Sequence, residues 1–215
     1  DEATAYNASH LLGFFSTFNS DALKDVTLYK GNMPAQYGGR LASVMDVRMN
    51  DGNNKNYEVS GGLGLIASRL MLQGPIKKEK GSFLISGRRT YADMFLKLSS
   101  KESQRNNQLY FYDLNLKANY TLGKNDRLFL SGYFGKDVLG VAKVFGIDWG
   151  NATATLRWNH VFNSKLFSNT SLIYSNYNYN IGLTIAENDF KITSKIVDRN
   201  LKQEFQFYPN PKNTI

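Results

Sequence analysis

The side chains able to do chemistry are few, and their spacing suits recognition better than catalysis. Two histidines, His10 and His160, stand far apart in a chain of 215 residues and lack the spacing of metal ligands. Cysteine is absent, which excludes a thiol nucleophile, a thiolate metal site and a disulfide framework. No G-x-S-x-G, H-E-x-x-H, Walker or strand-to-helix G-x-G-x-x-G pattern occurs; Gly61-Gly62-Leu63-Gly64 reads as a glycine cluster inside a strand, where close packing or a bulge explains it. Asp46 and Asp51 make only a weak carboxylate pair. The expectation is a protein that is not an enzyme and holds neither cofactor nor metal.

Charge narrows the partners. Lys and Arg number 26 against 18 Asp and Glu, and the excess of +8 is scattered along the chain instead of gathered in a block. A nucleic-acid binder would show a basic stripe, so no such partner is expected. No stretch reaches the roughly 18 consecutive apolar residues of a membrane helix. Barrel strands need no such run, because only alternate residues meet lipid. The opening DEATAYNASH has neither the basic start nor the apolar centre of a signal peptide, so an exported protein would begin upstream of it.

The elements that must position these side chains fall into two parts, 1–52 and 53–215. In the first, Asn19 or Ser20 is expected to cap a short helix through Lys24, with Asp21 in its first turn, followed by a strand from Val26 to Lys30. The run Leu11-Leu12-Gly13-Phe14-Phe15 reads either as core or as an exposed aromatic loop. From Tyr29 to Met49, Gly31, Pro34, Gly38 and Gly39 punctuate a tight loop, and Leu41, Val44, Val47 and Met49 mark a short strand. Asn50 to Asn56 then releases the chain.

The second part reads as hairpins. Strands are expected at about 57–65, 68–76, 82–91, 108–122, 127–136, 148–162, 166–181 and 191–208. Several exceed the five or six residues usual in soluble sheets and meet the roughly 9–11 that cross a bilayer with tilt. Alternation is clearest at 108–122, where Tyr110, Tyr112, Leu114, Leu116, Ala118, Tyr120 and Leu122 oppose Asp113, Asn115, Lys117, Asn119 and Thr121. Leu128, Leu130, Gly132 and Phe134 oppose Arg127, Ser131 and Tyr133; Ala152, Ala154, Leu156, Trp158 and Phe162 oppose Asn151, Thr153, Thr155, Arg157 and Asn159. Tyrosines and Trp158 near strand ends would form an aromatic girdle at headgroup level. A soluble sandwich strand has the same period, so connection lengths carry the distinction. Those at 77–81, 123–126, 163–165 and 209–213 read as short, and those at 92–107, 137–147 and 182–190 as mostly longer, the asymmetry of outer-membrane barrels. Pro34, Pro75, Pro209 and Pro211 lie in the loop or at turns.

The stretch YKGNMPAQYGGRLASVMDVRM, and within it Lys30, Gly31, Pro34, Ala35, Tyr37, Gly38, Gly39 and Arg40, resembles the end of the plug domain of a TonB-dependent outer-membrane transporter. There a KG-x-x-PA-x-YGGR-x-x-SV-x-D-V pattern precedes the first barrel strand. The upstream YNASHLLGFFSTFNSDALKDVTLYKG is similar to the preceding plug segment in the Bacteroidota-type, carboxypeptidase-regulatory-like/plug form of the family. The resemblance implies a mainly β fold: about the first eight strands of a larger antiparallel transmembrane barrel, such barrels having about 22 strands around a plug, after the C-terminal part of a small α+β plug. It also implies the cell outer membrane, TonB as partner through a segment absent here, outer-membrane lipid, and a small-molecule chelate, glycan or peptide as substrate.

On that reading Tyr6, Asn7, His10, Phe14 and Phe15 are expected to touch substrate, although the same groups could pack the plug. Arg88, Asp113, Lys117, Arg157, Lys202 and Glu204 fall on the lumen parity, as a solvated face, a plug contact or a substrate path. Arg40 would pair with a wall carboxylate such as Glu58 or Asp113, or cap carbonyls within the plug. The segment TYADMFLKLSS, Thr90 to Ser100, is expected to form a short amphipathic helix through Tyr91, Phe95 and Leu98, covering the barrel mouth or meeting a surface lipoprotein. Two other classes fit the composition: an outer-membrane barrel with a structural or interaction role and no transport, and a soluble β-sandwich or ligand-binding barrel.

Overall fold

A computed structural model describes residues 2–7, 9–31, 33–34, 37, 42–142, 144–185 and 188–210. Ala35, Gly38, Gly39, Arg40 and Leu41 lie outside the described residues. The chain is mainly β. Two strands of two residues, β1 (Ser9–His10) and β2 (Phe15–Ser16), flank a 3-10 turn at Leu11–Gly13, and β3 (Leu23–Lys30) pairs with β4 (Ser43–Met49). Eight strands then make one antiparallel sheet: β5 (Glu58–Leu63), β6 (Ala67–Lys77), β7 (Gly81–Thr90), β8 (Gln108–Thr121), β9 (Asp126–Val141), β10 (Phe145–Asn163), β11 (Leu166–Ile185) and β12 (Asn188–Phe207). Each pairs with its sequence neighbour, so β5 and β12 stand at the edges, and among the described residues neither pairs with a further strand.

Every one of the eight expected strands is present, but the last four run on for 16, 19, 20 and 20 residues. The expected long connection at 137–147 is corrected: Asp137 pairs with Trp149 and Leu139 with Ile147, so strand continues to Val141 and resumes at Phe145. The connection expected at 182–190 shrinks likewise, with Ile185 paired to Asn188. Val138, Leu139, Val141 and Ile147 are β-branched or bulky residues that extend a pleated ladder once pairing has begun. The long connection that remains, 91–107, carries two short helices, α1 (Ala92–Lys97) and α2 (Glu102–Arg105), the first where the amphipathic segment was expected.

The helix expected from Asn19 or Ser20 through Lys24 does not form. Asn19 does cap a turn: its carbonyl accepts from Ala22 N at 3.0 Å and its Oδ1 accepts from Asp21 N at 3.1 Å. The turn stops there because β3 begins at Leu23, which pairs with Met49. Tertiary strand pairing thus overrides a local start signal of modest strength.

The two faces of the large sheet differ sharply. In one register row Phe83, Ala118, Leu130, Leu156, Leu172 and Leu201 lie side by side; Leu130, Leu156, Leu172 and Leu201 are 40%, 42%, 54% and 71% exposed. One residue along, Lys117, Ser131 and Thr155 lie on the opposite face and are 3%, 7% and 4% exposed. Leu84, Phe111 and Trp149 are the large apolar side chains this polar face buries. The arrangement inverts a soluble sheet, whose apolar face is the covered one.

What covers the polar face is the N-terminal segment, which crosses the strands in reverse order. Thr4 O accepts from Ser175 Oγ on β11, Tyr6 N donates to Asn151 Oδ1 on β10 at 3.0 Å, and Asn19 Nδ2 donates to Ser86 Oγ on β7 at 3.3 Å. Asp21 then meets Arg69 of β6 at 2.7 Å, and Ala22, Met49, Leu84 and Met71 form a small apolar contact. The crossing ends at Asp51, whose carbonyl accepts from Ser82 Oγ at 2.6 Å and Asn119 Nδ2 at 2.9 Å. The next residue, Gly52, has φ +84°, and a Cβ there would overlap the Phe83 carbonyl. Gly52→Ala is therefore expected to cost about 1–3 kcal/mol, whereas Gly123→Ala, where a Cβ meets open space, is expected to be near neutral; chemical denaturation of the two variants checks the contrast.

Candidate functional site

The tightest meeting of the N-terminal segment with the sheet is a buried charged cluster around His10. It is built from short elements: β1 brings His10 down onto the polar face, and β7, β8 and β9 supply Arg88, Asp113 and Asp137. Arg88 and Asp113 are register partners, while Asp137 pairs with Phe111 two residues further along. His10 is 1% exposed and Asp137 0%. Imidazole Nδ1 lies 2.7 Å from Asp137 Oδ2, and Nε2 lies 3.4 Å from Asp113 Oδ2 and 3.3 Å from the Tyr133 hydroxyl. The ring stacks on Phe111 at 4.1 Å between centroids, nearly parallel at 4°.

Arg88 completes the cluster from the other side. Its Nη2 is 2.6 Å from Asp113 Oδ2 and also donates to the carbonyls of Ser16 at 2.8 Å and Thr17 at 3.1 Å. Asp137 Oδ1 accepts from the backbone N–H of Leu11 at 2.7 Å. The sheet thus grips the segment by side chain and main chain at once. Tyr133 reaches His10 because Gly135, its neighbour on the same face, has no Cβ; one there would overlap the tyrosine hydroxyl.

The charges balance only with His10 protonated: Asp113 and Asp137 then face Arg88 and an imidazolium. Burial, the largest single influence, pulls the His10 pKa down, but hydrogen bonds to Asp113 and Asp137 together with their charges outweigh it and leave it above the ordinary 6.5. An Asp–His pair beside a hydroxyl also occurs in catalysis. Here both ring nitrogens are engaged and the ring is buried, so the geometry suits a clasp that fastens one segment to another.

The other residues singled out from the sequence distribute as follows. Tyr6 hydrogen-bonds Asp198 through its hydroxyl, and Asn7 accepts from Ser9 N at 3.4 Å and from Thr17 Oγ1 at 3.1 Å. The run 11–15 is divided: Leu11 is buried and Phe15 packs on Phe111 at 5.2 Å, while Leu12 and Phe14 are 72% and 86% exposed. Leu11 and Leu12 have φ of 47° and 59°, left-handed values uncommon for leucine, and Gly13 follows at 109°. The turn's backbone thereby points Leu12 and Phe14 away from the sheet.

Arg88, Asp113, Lys117, Arg157, Lys202 and Glu204 share the polar face by register, as their parity anticipates. Of the carboxylates proposed to meet Arg40, Asp113 is held by Arg88 and His10, and Glu58 accepts from Asn53 at 2.6 Å and Gln73 at 2.7 Å. Asp46 is engaged by Arg48 at 3.2 Å and Tyr37 at 3.1 Å, and Asp51 lies 4.0 Å from Arg127, so the weak pair serves separate partners. Tyr29 and Tyr37 pack at 5.3 Å, with Lys30, Gly31 and Pro34 beside them in sequence. His160 pairs with Asp126 at 2.7 Å, and among the described residues no metal-holding cluster of His and carboxylates is found.

Sequence reasoning missed Asp137, Tyr133 and Phe111 as His10's surroundings. Phe111 and Tyr133 were legible as members of the polar parity. Asp137 fell just beyond the expected strand end at 136, and only continued β9–β10 pairing carries it inward. Comparison with protein-family models, with curated proteins and with solved structures finds no match.

The raised pKa of His10 sets the sign of a pH effect. Its contribution to holding the segment is fully present below about pH 6.5 and is lost as pH rises through the raised value, where a buried carboxylate loses its counter-charge. Hydrogen exchange at Leu11 N–H is expected to accelerate on that rise beyond its intrinsic pH dependence, and His10→Gln is expected to remove the extra step. His10→Ala, leaving Asp137 uncompensated, is expected to cost about 3–5 kcal/mol, read by denaturation.

Proposed function

We propose that this chain belongs to a TonB-dependent outer-membrane transporter. Its N-terminal segment serves as the rear of the lumenal plug, and its eight-stranded sheet as part of the barrel wall. The protein would bind an extracellular chelate, glycan or peptide and release it to the periplasm with energy delivered through TonB. The observation that carries this reading is the inverted sheet, with leucines open on one face and a covering segment of the same chain on the polar other.

Dimensions support it. The outward apolar run from Leu114 on β8 to Leu122 just past its end covers eight steps; at about 3.4 Å per residue this is ~27 Å along the strand, or ~20 Å of height at a tilt of about 40°, most of the roughly 25 Å apolar band of such barrels. Beyond it the same face turns polar, with Lys136 3.2 Å from Asp148 and Asn180 donating to Asp148 at 3.1 Å. Aromatic residues mark both limits: Tyr110 and Tyr112 at one, and at the other Trp158, whose indole N–H donates to Asp126 at 2.9 Å, with His160 and Phe162. The edge strands β5 and β12 offer unpaired backbone groups that lipid could not satisfy, so in a membrane they must pair with further strands.

The interface between segment and wall suits a part that moves under load. Most of its contacts are single hydrogen bonds or exposed pairs such as Asp21 with Arg69, worth about 0–1 kcal/mol each and breakable in turn. The His10 cluster is the exception and would be the last to yield.

Two measurements test the reading. In an outer-membrane fraction the native polypeptide is expected to run well above 24.3 kDa and to shift mobility on boiling; a heat-insensitive band in the soluble fraction would end the proposal. Leu156→Arg is expected to cost about 2–4 kcal/mol if this face meets lipid, against about 0.5 kcal/mol or less for an exposed position in water. Refolding into lipid bilayers under urea titration distinguishes the two.

A further inference from the structure

We propose that the polar face of β8, β9 and β10, near the turns at 122–125 and 164–165, holds a binding site for a small soluble anion carrying a carboxylate or phosphate. β10 presents Thr155, Arg157 and Asn159 at successive positions on that face. Each carries a buried polar atom with no hydrogen-bond partner among the described residues: Thr155 Oγ1, Arg157 Nε and Asn159 Oδ1. Thr155 is only 4% exposed, so its hydroxyl has little access to bulk water. Three such atoms in consecutive inward positions are unusual, because buried polar groups are as a rule satisfied.

The charge around them is also out of balance. Phe129 is the register partner of Arg157, and Arg127 the partner of Asn159. The guanidinium carbons of Arg127 and Arg157 lie 4.6 and 4.7 Å from the centre of the Phe129 ring. Lys117, 3% exposed, has Asp51, Arg157, Lys24 and Arg127 as electrostatic neighbours. Asp51 lies 4.0 Å from Arg127, and Arg157 pairs with no carboxylate among the described residues.

Elsewhere on this face cations are matched. Arg88 and His10 face Asp113 and Asp137, and Lys202 lies 3.6 Å from Glu2 and 3.5 Å from Glu204. Among the described residues the excess is therefore local to Arg157 and Arg127, which have the one Asp51 carboxylate between them. Stacking on Phe129 holds the two guanidinium planes in place without neutralising them. An oxyanion would accept from Arg157 Nε and the Thr155 hydroxyl, while a hydroxyl or protonated oxygen of the same solute could donate to Asn159 Oδ1.

For the transporter this names the substrate class as anionic and puts a contact on the wall near the turns; that role rests on the proposed function, but the site is argued from its own residues. The test is calorimetric titration of the full-length protein in detergent at low ionic strength, with inorganic phosphate and with citrate as probes. At least one probe is expected to bind saturably, with affinity falling about tenfold or more in Arg157→Gln and in Arg127→Gln. Arg157→Lys, which keeps the charge but loses the fork, is expected to fall between, and Lys202→Gln to bind as the parent does. If neither probe binds saturably, whether because a carboxylate of another segment fills the site or because no site exists, the proposal is overturned. Undiminished binding in both glutamine variants overturns it too. Membrane fractionation and heat modifiability read the proposed function separately, so failure of one leaves the other standing.

Discussion

Everything in this chain turns on a sheet whose hydrogen-bonding side chains face the covered side. Among the described residues eighteen polar or charged side chains are buried against six apolar ones, so polar contacts outnumber hydrophobic ones in holding the N-terminal segment in place. Each buried polar group must find a partner or destabilise the fold by about 1–3 kcal/mol. The segment meets that demand with a succession of small contacts, Thr4 to Ser175, Tyr6 to Asn151, Asn19 to Ser86 and Asp51 to Ser82. The covering chain and the covered face are each incomplete without the other.

The His10 cluster concentrates this interdependence. Removing a single member leaves a buried charge or an unmatched donor, and that asymmetry makes the site both strong and conditional. Its strength depends on protonation because the ring sits between two carboxylates with one guanidinium to offset them. The neighbouring surface at Arg127 and Arg157 is less compensated: both cations stack on Phe129, Arg127 lies 4.0 Å from Asp51, and Arg157 has no carboxylate partner among the described residues. One end of the polar face is therefore closed by the chain itself, and the other is where we propose that an anion binds.

Turned outward, the leucine rows impose a complementary condition. Water would favour covering Leu130, Leu156, Leu172 and Leu201, and among the described residues nothing does so. A lipid environment removes that difficulty, and it converts the long edge strand β12 into a requirement for further pairing. The proposed transporter meets both conditions with a single architecture, which is why it is preferred over a soluble sandwich.

Strand number, strand order of hairpins and the identity of the two faces were legible in the sequence, because a period of two is a local property of each strand. Tyr110 to Leu122 and Ala152 to Phe162 announced their apolar and polar parities unaided, and the short helix after Thr90 was readable from its amphipathic spacing. Strand ends were not: Asp137 looked like loop, and the turn after Asn19 looked like a helix, because pairing between distant segments decides both. Alternation alone did not say which side of the sheet is covered, though the family resemblance put the polar parity toward a plug, and the sequence did not show that His10 meets residues more than a hundred positions away. Alternation is indifferent to which face is buried, whereas ion pairing, stacking and burial at His10 exist only once the N-terminal segment lies across the finished sheet.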